Sequence, residues 1–205
     1  MLIKIYPENP NVRAIKRIAQ ILDDGGIVIY PTDTIYGIGC DIAKSKAVVR
    51  LAKLQGLDME KAYFSFIFDN LSRISEYTKP MSNATFKMLK RNVPGPFTFI
   101  LEANNNIPKQ FKMRRKTIGI RVPDNSIVRA VVEELGRPLL SSSVHDLDDD
   151  VAEYITDPEL IHERYADLVD AVIDGGYGDN QPSTVVDCTT DEFEIIRQEK
   201  GDLLL

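Results

Sequence analysis

Hydroxyl and carboxyl side chains follow directly after a short apolar run at residues 27–30. The run reads Ile-Val-Ile-Tyr and ends at Pro31, which is the composition of a strand buried on both faces. Residues 32–34 read Thr-Asp-Thr, and Gly37 and Gly39 lie beyond, where glycine permits a positive φ or the close approach of a ligand. The pattern predicts a strand that delivers polar groups to a cleft. The alternative is a turn whose side chains bond their own backbone.

A second set of polar residues lies along the apolar segment 117–122. Strand alternation places Thr117, Gly119 and Arg121 on one face, with apolar residues on the opposite face. An arginine at the exit of an apolar strand is unfavourable without a partner. It therefore either pairs with an internal carboxylate or binds an anionic ligand.

Hydroxyl residues recur beside two further apolar runs. Three consecutive serines at 141–143 follow two leucines, and residues 183–184 read Ser-Thr before two valines. Arg197, near the end of the last apolar segment, adds a second arginine. Hydroxyl groups joined by a few charges can line an anion or nucleotide site. The alternative is that these serines cap local turns.

Composition predicts a single domain over residues 1–205 that can bury a full core, since 43% of the chain is hydrophobic and 27% charged. No basic region followed by a long apolar segment opens the sequence, and no apolar run approaches membrane-spanning length. We therefore expect a cytoplasmic protein without membrane contact. Cys40 and Cys188 lack metal-ligand spacing, so we expect free thiols and no metal site.

The formal net charge of −6 argues against a protein whose whole surface binds nucleic acid. A basic segment stands out nevertheless, and an acidic one occupies residues 146–150. The basic segment contains Lys109, Lys112, Arg114, Arg115 and Lys116. Both segments fit solvated loops, and the basic one also fits contact with phosphate.

Apolar periodicity predicts helices interspersed with strands. Asn9 and Pro10 predict the start of a first helix that stops at Gly25 and Gly26. Further helices are predicted at 45–53, 82–92 and 126–135. Further strands are predicted at 63–68, 97–102, 117–122, 138–142, 169–174, 183–187 and 194–197. Together these elements predict an α/β fold with a large, twisted, open and mixed β-sheet flanked by helices.

The sequence contains no Gly-x-x-x-x-Gly-Lys-Ser/Thr phosphate loop, no Gly-x-Gly-x-x-Gly fingerprint and no Gly-x-Ser-x-Gly elbow. The common nucleotide-binding and hydrolase folds are therefore disfavoured. His145 and His162 are the two histidines of the chain. Each fits an ordinary surface or loop residue better than a metal ligand or a catalytic base.

Five segments together resemble the YrdC family in their order and spacing. They read Tyr-Pro-Thr-Asp-Thr-Ile-Tyr-Gly-Ile-Gly at 30–39, Pro-Gly-Pro-Phe-Thr at 94–98, Thr-Ile-Gly-Ile-Arg-Val-Pro at 117–123, Pro-Leu-Leu-Ser-Ser-Ser at 138–143 and Pro-Ser-Thr-Val-Val-Asp at 182–187. The combination is specific even though no single segment is. The resemblance implies the YrdC-like twisted sheet, with a concave and often positive face to which double-stranded RNA binding is attributed.

The resemblance also implies a reaction and a set of binding residues. Better characterised members are threonylcarbamoyl-AMP synthases, which join L-threonine, bicarbonate and ATP, release pyrophosphate, and supply the threonylcarbamoyl group for tRNA modification. By position, the resemblance assigns amino-acid contacts to Thr34, Arg121, Ser141 and Ser183. It assigns nucleotide contacts to Thr117, Ser143 and Arg197. ATP is then a substrate, and the sequence leaves open whether Mg²⁺ accompanies it.

Two signatures of the synthases are altered in this chain. Their Lys-x-Arg pair falls on residues 55–57, which read Gln-Gly-Leu, and their Ser-x-Asn falls on 143–145, which read Ser-Val-His. These departures are similar to the YciO branch of the family and predict weak or altered synthase activity. Lys53 or Lys61 is long and flexible enough to replace a missing cation, and the alternative is that both are solvated.

A competing hypothesis is a non-catalytic module that binds double-stranded RNA. Its basis is the loss of the Lys-x-Arg pair together with the basic segment. The residues expected to contact the RNA phosphates are Lys112, Arg114, Arg115 and Lys116.

Overall fold

The structure is a computed structural model of the 205-residue chain that describes residues 1–56, 64–107, 116–144 and 154–205. The strands in these ranges are β1 (Leu2–Lys4), β2 (Ile27–Tyr30), β3 (Gly37–Asp41), β4 (Ser65–Ile67), β5 (Phe97–Glu102), β6 (Thr117–Arg121), β7 (Leu139–Ser143), β8 (Ala171–Asp174), β9 (Thr184–Asp187) and β10 (Glu194–Arg197). The helices are α1 (Val12–Asp23), α2 (Ser45–Leu54), α3 (Asn83–Asn92), α4 (Ser126–Leu135) and α5 (Pro158–Tyr165), with a 3-10 turn at Ile74–Glu76.

All of these strands join one sheet in the order β1-β8-β2-β3-β7-β4-β6-β5-β9-β10. The pairs β1–β8, β2–β8, β4–β6 and β5–β9 are parallel, and the remaining pairs are antiparallel. The α/β fold with an open, mixed sheet flanked by helices is therefore confirmed. Among the described residues, no helix has the length and apolar character needed to cross a membrane.

One face of the sheet packs against α2, α3 and α5. Side chains of these helices, such as Leu51, Leu89 and Ile161, share a core with Phe66 and Phe99 of the sheet. The periodic apolar residues of each helix are thus buried on a single side, which stabilises short helices that are marginal in isolation.

The opposite face of the sheet is covered over only part of its area. Helices α1 and α4 pack there on Val28, Ile67 and Leu139. Farther along the same strands and on the same face, the residues become small or polar, as at Ser65 and Ser141. The change from apolar to hydroxyl side chains along one face therefore marks where the helical cover ends.

Capping residues set the helix boundaries. The prediction that Asn9 and Pro10 begin the first helix is wrong by two residues, because the Oδ1 atom of Asn11 accepts hydrogen bonds from the backbone N–H groups of Arg13 and Ala14. Helix α4 has its predicted bounds, with Asn125 at its N-cap and a left-handed glycine after its last residue. The bounds predicted for β5 and β10 also coincide with the structure.

The structure corrects one interpretation of the glycines that follow β2. Gly37 and Gly39 do not adopt a positive φ but belong to β3, a strand that the sequence analysis missed. Their role is steric, because a Cβ atom at Gly37 would lie 2.8 Å from the ring of Tyr30, and one at Gly39 would lie 2.6 Å from the Leu140 carbonyl. The glycines thus make room for the Tyr30 ring and the neighbouring strand.

Candidate functional site

A cavity of about 580 Å³ lies on the half of the sheet face that α1 and α4 leave uncovered. None of the helical residues described contributes to its lining. Its polar lining comes from seven places in the sequence and comprises Ser65, Thr98, Thr117, Arg121, the serines at 141–143, Ser183 and Arg197. The sheet thus brings hydroxyl groups of five strands or strand ends, together with two guanidinium groups, into one hollow.

Strand register places small and hydroxyl-bearing residues side by side on the floor of the cavity. Ser65 of β4 is paired with Gly119 on one side and with Ser141 on the other. A Cβ atom at Gly119 would lie 3.2 Å from both Ser65 Oγ and Thr98 Cγ2, so a larger residue would crowd this floor. Thr98 and Ser183 share a hydrogen bond of 2.8 Å between their hydroxyl oxygens. The floor consequently presents hydroxyl groups among apolar side chains such as Phe64, Ile100 and Val185.

Arg121 is the buried cation of the cavity, with 9% of its surface exposed. Its Nη2 atom donates to Thr34 Oγ1 at 2.9 Å and to Asp33 Oδ1 at 3.2 Å. Burial lowers the pKa of Arg121, and the nearby Asp33 carboxylate opposes this effect. Arg121 thus has the internal carboxylate partner of one alternative and also lines the cavity, where the binding of an anionic ligand remains a prediction.

Thr34 lies behind Arg121 and outside the main cavity. It is fully buried, and the Thr32 hydroxyl accepts a hydrogen bond from its backbone N–H while donating to the Ile35 carbonyl. The turn therefore bonds its own backbone, as one interpretation of the sequence proposes. Thr34 also borders a second, shallower cavity of about 490 Å³ that includes Asp33 and Lys200.

Lys200 holds this turn from the C-terminal side. Its Nζ atom donates to the Asp33 carbonyl and to Asp179 Oδ2, each at 2.6 Å. The backbone N–H of Asp179 donates to the Thr34 carbonyl at 3.1 Å. Segments distant in sequence therefore fix the turn that supports Arg121.

Arg197 contributes the second positive charge of the cavity. Its Nη2 atom donates to the Ser183 carbonyl at 2.7 Å, which anchors an otherwise exposed side chain over the floor. Arg121 and Arg197 lie close enough for Arg197 to disfavour the charge on Arg121. Two guanidinium groups on one cavity favour the binding of an anion there.

Gln55 occupies the first position of the altered Lys-x-Arg signature. It is 7% exposed, and its Oε1 atom accepts a long hydrogen bond of 3.4 Å from Ser142 Oγ of the cavity. Lys53 lies in the last turn of α2 and is exposed. Three other residues lie outside the described part of the chain. They are Leu57 at the Lys-x-Arg position, His145 at the Ser-x-Asn position, and Lys61, the other suggested replacement cation.

Unsatisfied polar atoms concentrate at this site. Across the described ranges, the buried side-chain atoms without a hydrogen-bond partner are Asp33 Oδ2, Gln55 Nε2 and Arg121 Nε. Buried polar atoms are nearly always paired, and an unpaired one costs about 1–3 kcal/mol. All three belong to residues of the cavity or to their direct partners, which is typical of a site built around a ligand.

The structure brings together most of the residues that the sequence selects. The residues that line the cavity as expected are Thr117, Arg121, Ser141, Ser143, Ser183 and Arg197. Lys116 is exposed beside Thr117, whereas Lys112, Arg114 and Arg115 lie outside the described residues. Sequence analysis missed Ser65 and Thr98, and it included Ser142 only as part of the run of three serines. The alternation of hydroxyl and apolar residues in the predicted strands 63–68 and 97–102 was the available signal for the first two.

The cavity offers no ready-made metal site in the part of the chain that the structure describes. No group of three or more His, Cys, Asp or Glu side chains is placed to hold a metal ion there. Both cysteines are buried and free. Burial raises the pKa of each thiol to about 12, so neither is a thiolate at neutral pH.

Comparison with known proteins gives the chain its family. The Sua5/YciO/YrdC family model, described as "Telomere recombination", matches residues 20–199. The "Uncharacterized protein YciO" of Escherichia coli (strain K12) is 38% identical over 200 residues, covering 97% of this chain and 95% of the relative. The "Threonylcarbamoyl-AMP synthase" of Marinobacter nauticus is 29% identical over 168 residues, covering 81% of this chain and 86% of the relative.

Solved structures agree with this assignment. The crystal structure of E. coli YciO superimposes with a TM-score of 0.89 at 37% identity, covering 98% of this chain and 97% of that one. P. abyssi Sua5 complexed with L-threonine shares the fold, with a TM-score of 0.87 at 22% identity, over 97% of this chain and 57% of that one. The family indicated by the sequence motifs is confirmed: the chain belongs to the Sua5/YciO/YrdC family.

Proposed function

We propose that the chain binds ATP and L-threonine and forms threonylcarbamoyl-AMP from them and bicarbonate, with weak or altered activity. The observation that carries this proposal is the convergence of Arg121, Arg197 and the hydroxyl groups of several strands in one cavity. The names of two relatives supply the ligand classes, since one is a threonylcarbamoyl-AMP synthase and another was solved with L-threonine.

The lining suits a polyanionic nucleotide next to an amino acid. A triphosphate gains charge-assisted hydrogen bonds from the two guanidinium groups and neutral ones from the hydroxyl donors. Catalysis then rests on holding the reactants in contact and on stabilising the charge that develops as pyrophosphate leaves. No covalent nucleophile is required. Any Mg²⁺ would arrive with the nucleotide and be bound mainly by phosphate oxygens and water.

Weak activity follows from the side chain at position 55. Gln55 places a neutral amide beside Ser142, where a synthase carries a cation. Each charge-assisted bond lost in this way removes about 1.5–3 kcal/mol. We therefore expect this chain to retain ligand binding while turning over slowly in comparison with a synthase.

The test measures binding and product separately. Isothermal titration with ATP and with L-threonine reports binding, and incubation with both plus radiolabelled bicarbonate reports labelled adenylate and released pyrophosphate. We expect binding of both ligands and slow product formation. Arg121→Ala should lose binding, and Arg129→Ala should not, because Arg129 bonds the Asp69 carbonyl outside the cavity.

The outcomes of this test separate three cases. Product together with pyrophosphate supports the synthase-type reaction. ATP binding without product reduces the proposal to a nucleotide-binding protein. Absence of ATP and L-threonine binding contradicts the proposal.

Binding of double-stranded RNA is a second candidate function. Residues 107 and 117, which flank the basic segment in the sequence, both line the cavity. Binding driven by phosphates should weaken steeply as salt rises. Gel-shift titration with duplex RNA should show this dependence and a loss of affinity in the double variant Arg114→Ala/Arg115→Ala.

The matched control for RNA binding removes two positive charges from a different part of the surface. Arg13 and Arg17 are exposed on α1, and replacing both by alanine should leave RNA affinity nearly unchanged. Undetectable binding at low salt, or equal effects of the two double variants, contradicts the RNA hypothesis.

A further inference from the structure

Tyr30 is a fully buried tyrosine whose hydroxyl reaches the cavity floor. It lies at the end of β2, and only 1% of its surface is exposed. Its ring occupies a slot against the backbone of β3, where Gly37 and Gly39 leave the required room. A Cβ atom at Gly37 would approach the ring carbons to 2.8 Å. The slot leaves the ring little freedom to move and points its hydroxyl toward β7.

The Tyr30 hydroxyl donates a hydrogen bond of 2.5 Å to Ser141 Oγ. A phenol is a stronger donor than an aliphatic hydroxyl, which favours this direction. Burial raises the pKa of Tyr30 far above its ordinary value, so the phenol keeps its proton at any physiological pH. Tyr30 therefore acts permanently as the donor and Ser141 as the acceptor of this bond.

Ser141 must then direct its own hydrogen elsewhere. The Ser142 carbonyl is the acceptor within the protein, and at 3.4 Å it is too distant for a strong bond. Ser141 lines the cavity, so an acceptor on a bound molecule offers a shorter bond. Arg121 on the same floor provides a positive field that also favours an electron-rich atom at this place.

We propose that Tyr30 is a positioning residue, which fixes the Ser141 hydroxyl as a donor and so reserves this point of the cavity for an oxygen acceptor of the ligand. The inference rests on the proposed function and specifies its recognition chemistry. A carboxylate, carbonyl or phosphate oxygen satisfies Ser141. An ammonium or amide N–H group at the same place could use only the second lone pair of Ser141 Oγ, and it would leave the Ser141 hydrogen without a strong acceptor.

A double-mutant cycle tests the coupling between the two residues. L-threonine and ATP are titrated separately into the wild-type chain, Tyr30→Phe, Ser141→Ala and the double variant. We expect Tyr30→Phe to weaken the binding of at least one probe by about 3- to 10-fold, the size of one lost hydrogen bond. The double variant should bind as Ser141→Ala does, because without Ser141 the Tyr30 hydroxyl has nothing to orient.

Tyr77→Phe is the matched control. It removes the same atom from a tyrosine that packs edge-on against Phe66 and Phe68 and does not line the cavity. A purely structural role of Tyr30 predicts additive effects in the cycle, and additivity overturns the proposal. Equal affinities of Tyr30→Phe and the wild-type chain for both probes overturn it as well.

A readout without ligand separates failure of the inference from failure of the proposed function. If the wild-type chain binds neither probe, the proposed function fails. Neutron diffraction of the wild-type chain and of Tyr30→Phe then decides the inference. A Ser141 hydrogen that points into the cavity only when Tyr30 is present supports it, and a hydrogen on the Ser142 carbonyl in both proteins overturns it.

Discussion

Two arginine–aspartate pairs in this protein differ in how many of their polar atoms have hydrogen-bond partners. Arg137 donates through Nε to Asp41 Oδ2 at 2.7 Å, and the other oxygen of this fully buried carboxylate accepts from the backbone N–H of Ala43 at 2.9 Å. Arg137 also pairs with Asp23. In the pair at the cavity, by contrast, Arg121 Nε and Asp33 Oδ2 have no partners.

The difference extends to electrostatics. The hydrogen bond from Arg137 to Asp41 raises the pKa of Arg137, whereas burial lowers the pKa of Arg121. The first pair is saturated and serves to hold α4 and its C-terminal turn to the sheet. In the second pair, Arg121 Nε and Asp33 Oδ2 can still form hydrogen bonds, and Arg121 lines the open cavity. The contrast indicates that a structural ion pair completes its own bonding, while one at a binding site leaves part of it for a ligand.

Removing Arg137 should have the largest effect of the variants considered. Arg137→Ala leaves the buried Asp41 carboxylate without its cation, and we expect the free energy of unfolding to fall by about 2–3 kcal/mol. Urea denaturation followed by circular dichroism measures this. The control is Arg50→Ala, which breaks the exposed pair with Asp170 and should cost less than about 1 kcal/mol. Equal losses in the two variants would contradict the contrast between saturated and exposed pairs.

Removing Arg121 should act on binding more than on folding. Arg121→Ala is expected to weaken ATP and L-threonine binding by about 100-fold, the equivalent of one or two charge-assisted hydrogen bonds. Titration calorimetry and thermal unfolding report the two effects separately.

The second variant of this set is Arg121→Ala/Asp33→Asn, which avoids leaving Asp33 as an unpaired buried charge. It should recover any stability that the single variant loses and should not recover binding. An Arg121→Ala chain that unfolds, and whose stability Asp33→Asn does not restore, would show that Arg121 is a structural residue.

The smallest effect is expected at the partly exposed pair of Lys200 and Asp179. The hydrogen bond from Lys200, followed by those from backbone N–H groups, lowers the pKa of Asp179. A carboxylate with a lowered pKa stabilises the fold above its unfolded-state pKa of about 3.9, and this contribution is lost as pH falls through the folded-state value. Lys200→Met should therefore destabilise by no more than about 0.5 kcal/mol at neutral pH.

This stability difference between Lys200→Met and the wild-type chain should shrink below about pH 4, where Asp179 of the unfolded chain becomes protonated before Asp179 of the folded chain, whose pKa is lowered. Chemical denaturation at pH 7 and at acidic pH measures it. A difference that grows on acidification would contradict the assignment of Asp179 as the partner of Lys200.

Strand alternation made much of the cavity predictable. The pattern of the segment 117–122 placed Thr117, Gly119 and Arg121 on one face, and that face lines the cavity. The same reasoning failed for β3, because Gly37 and Gly39 resemble turn residues when the ring of Tyr30 beside them is unknown. A glycine that makes room for a distant side chain has no local signature.

The sequence by itself determined most of the elements, the face that each residue takes in its predicted strand, and the family motifs. Periodicity and capping are local properties, and a hydroxyl among apolar residues is visible without a fold. Tertiary structure alone decided which part of the sheet face stays open, since α1 and α4 cover Val28 and Leu139 but stop short of Ser141. It also decided that Arg121 pairs incompletely with Asp33, because partners so far apart in sequence meet only through the order of the strands.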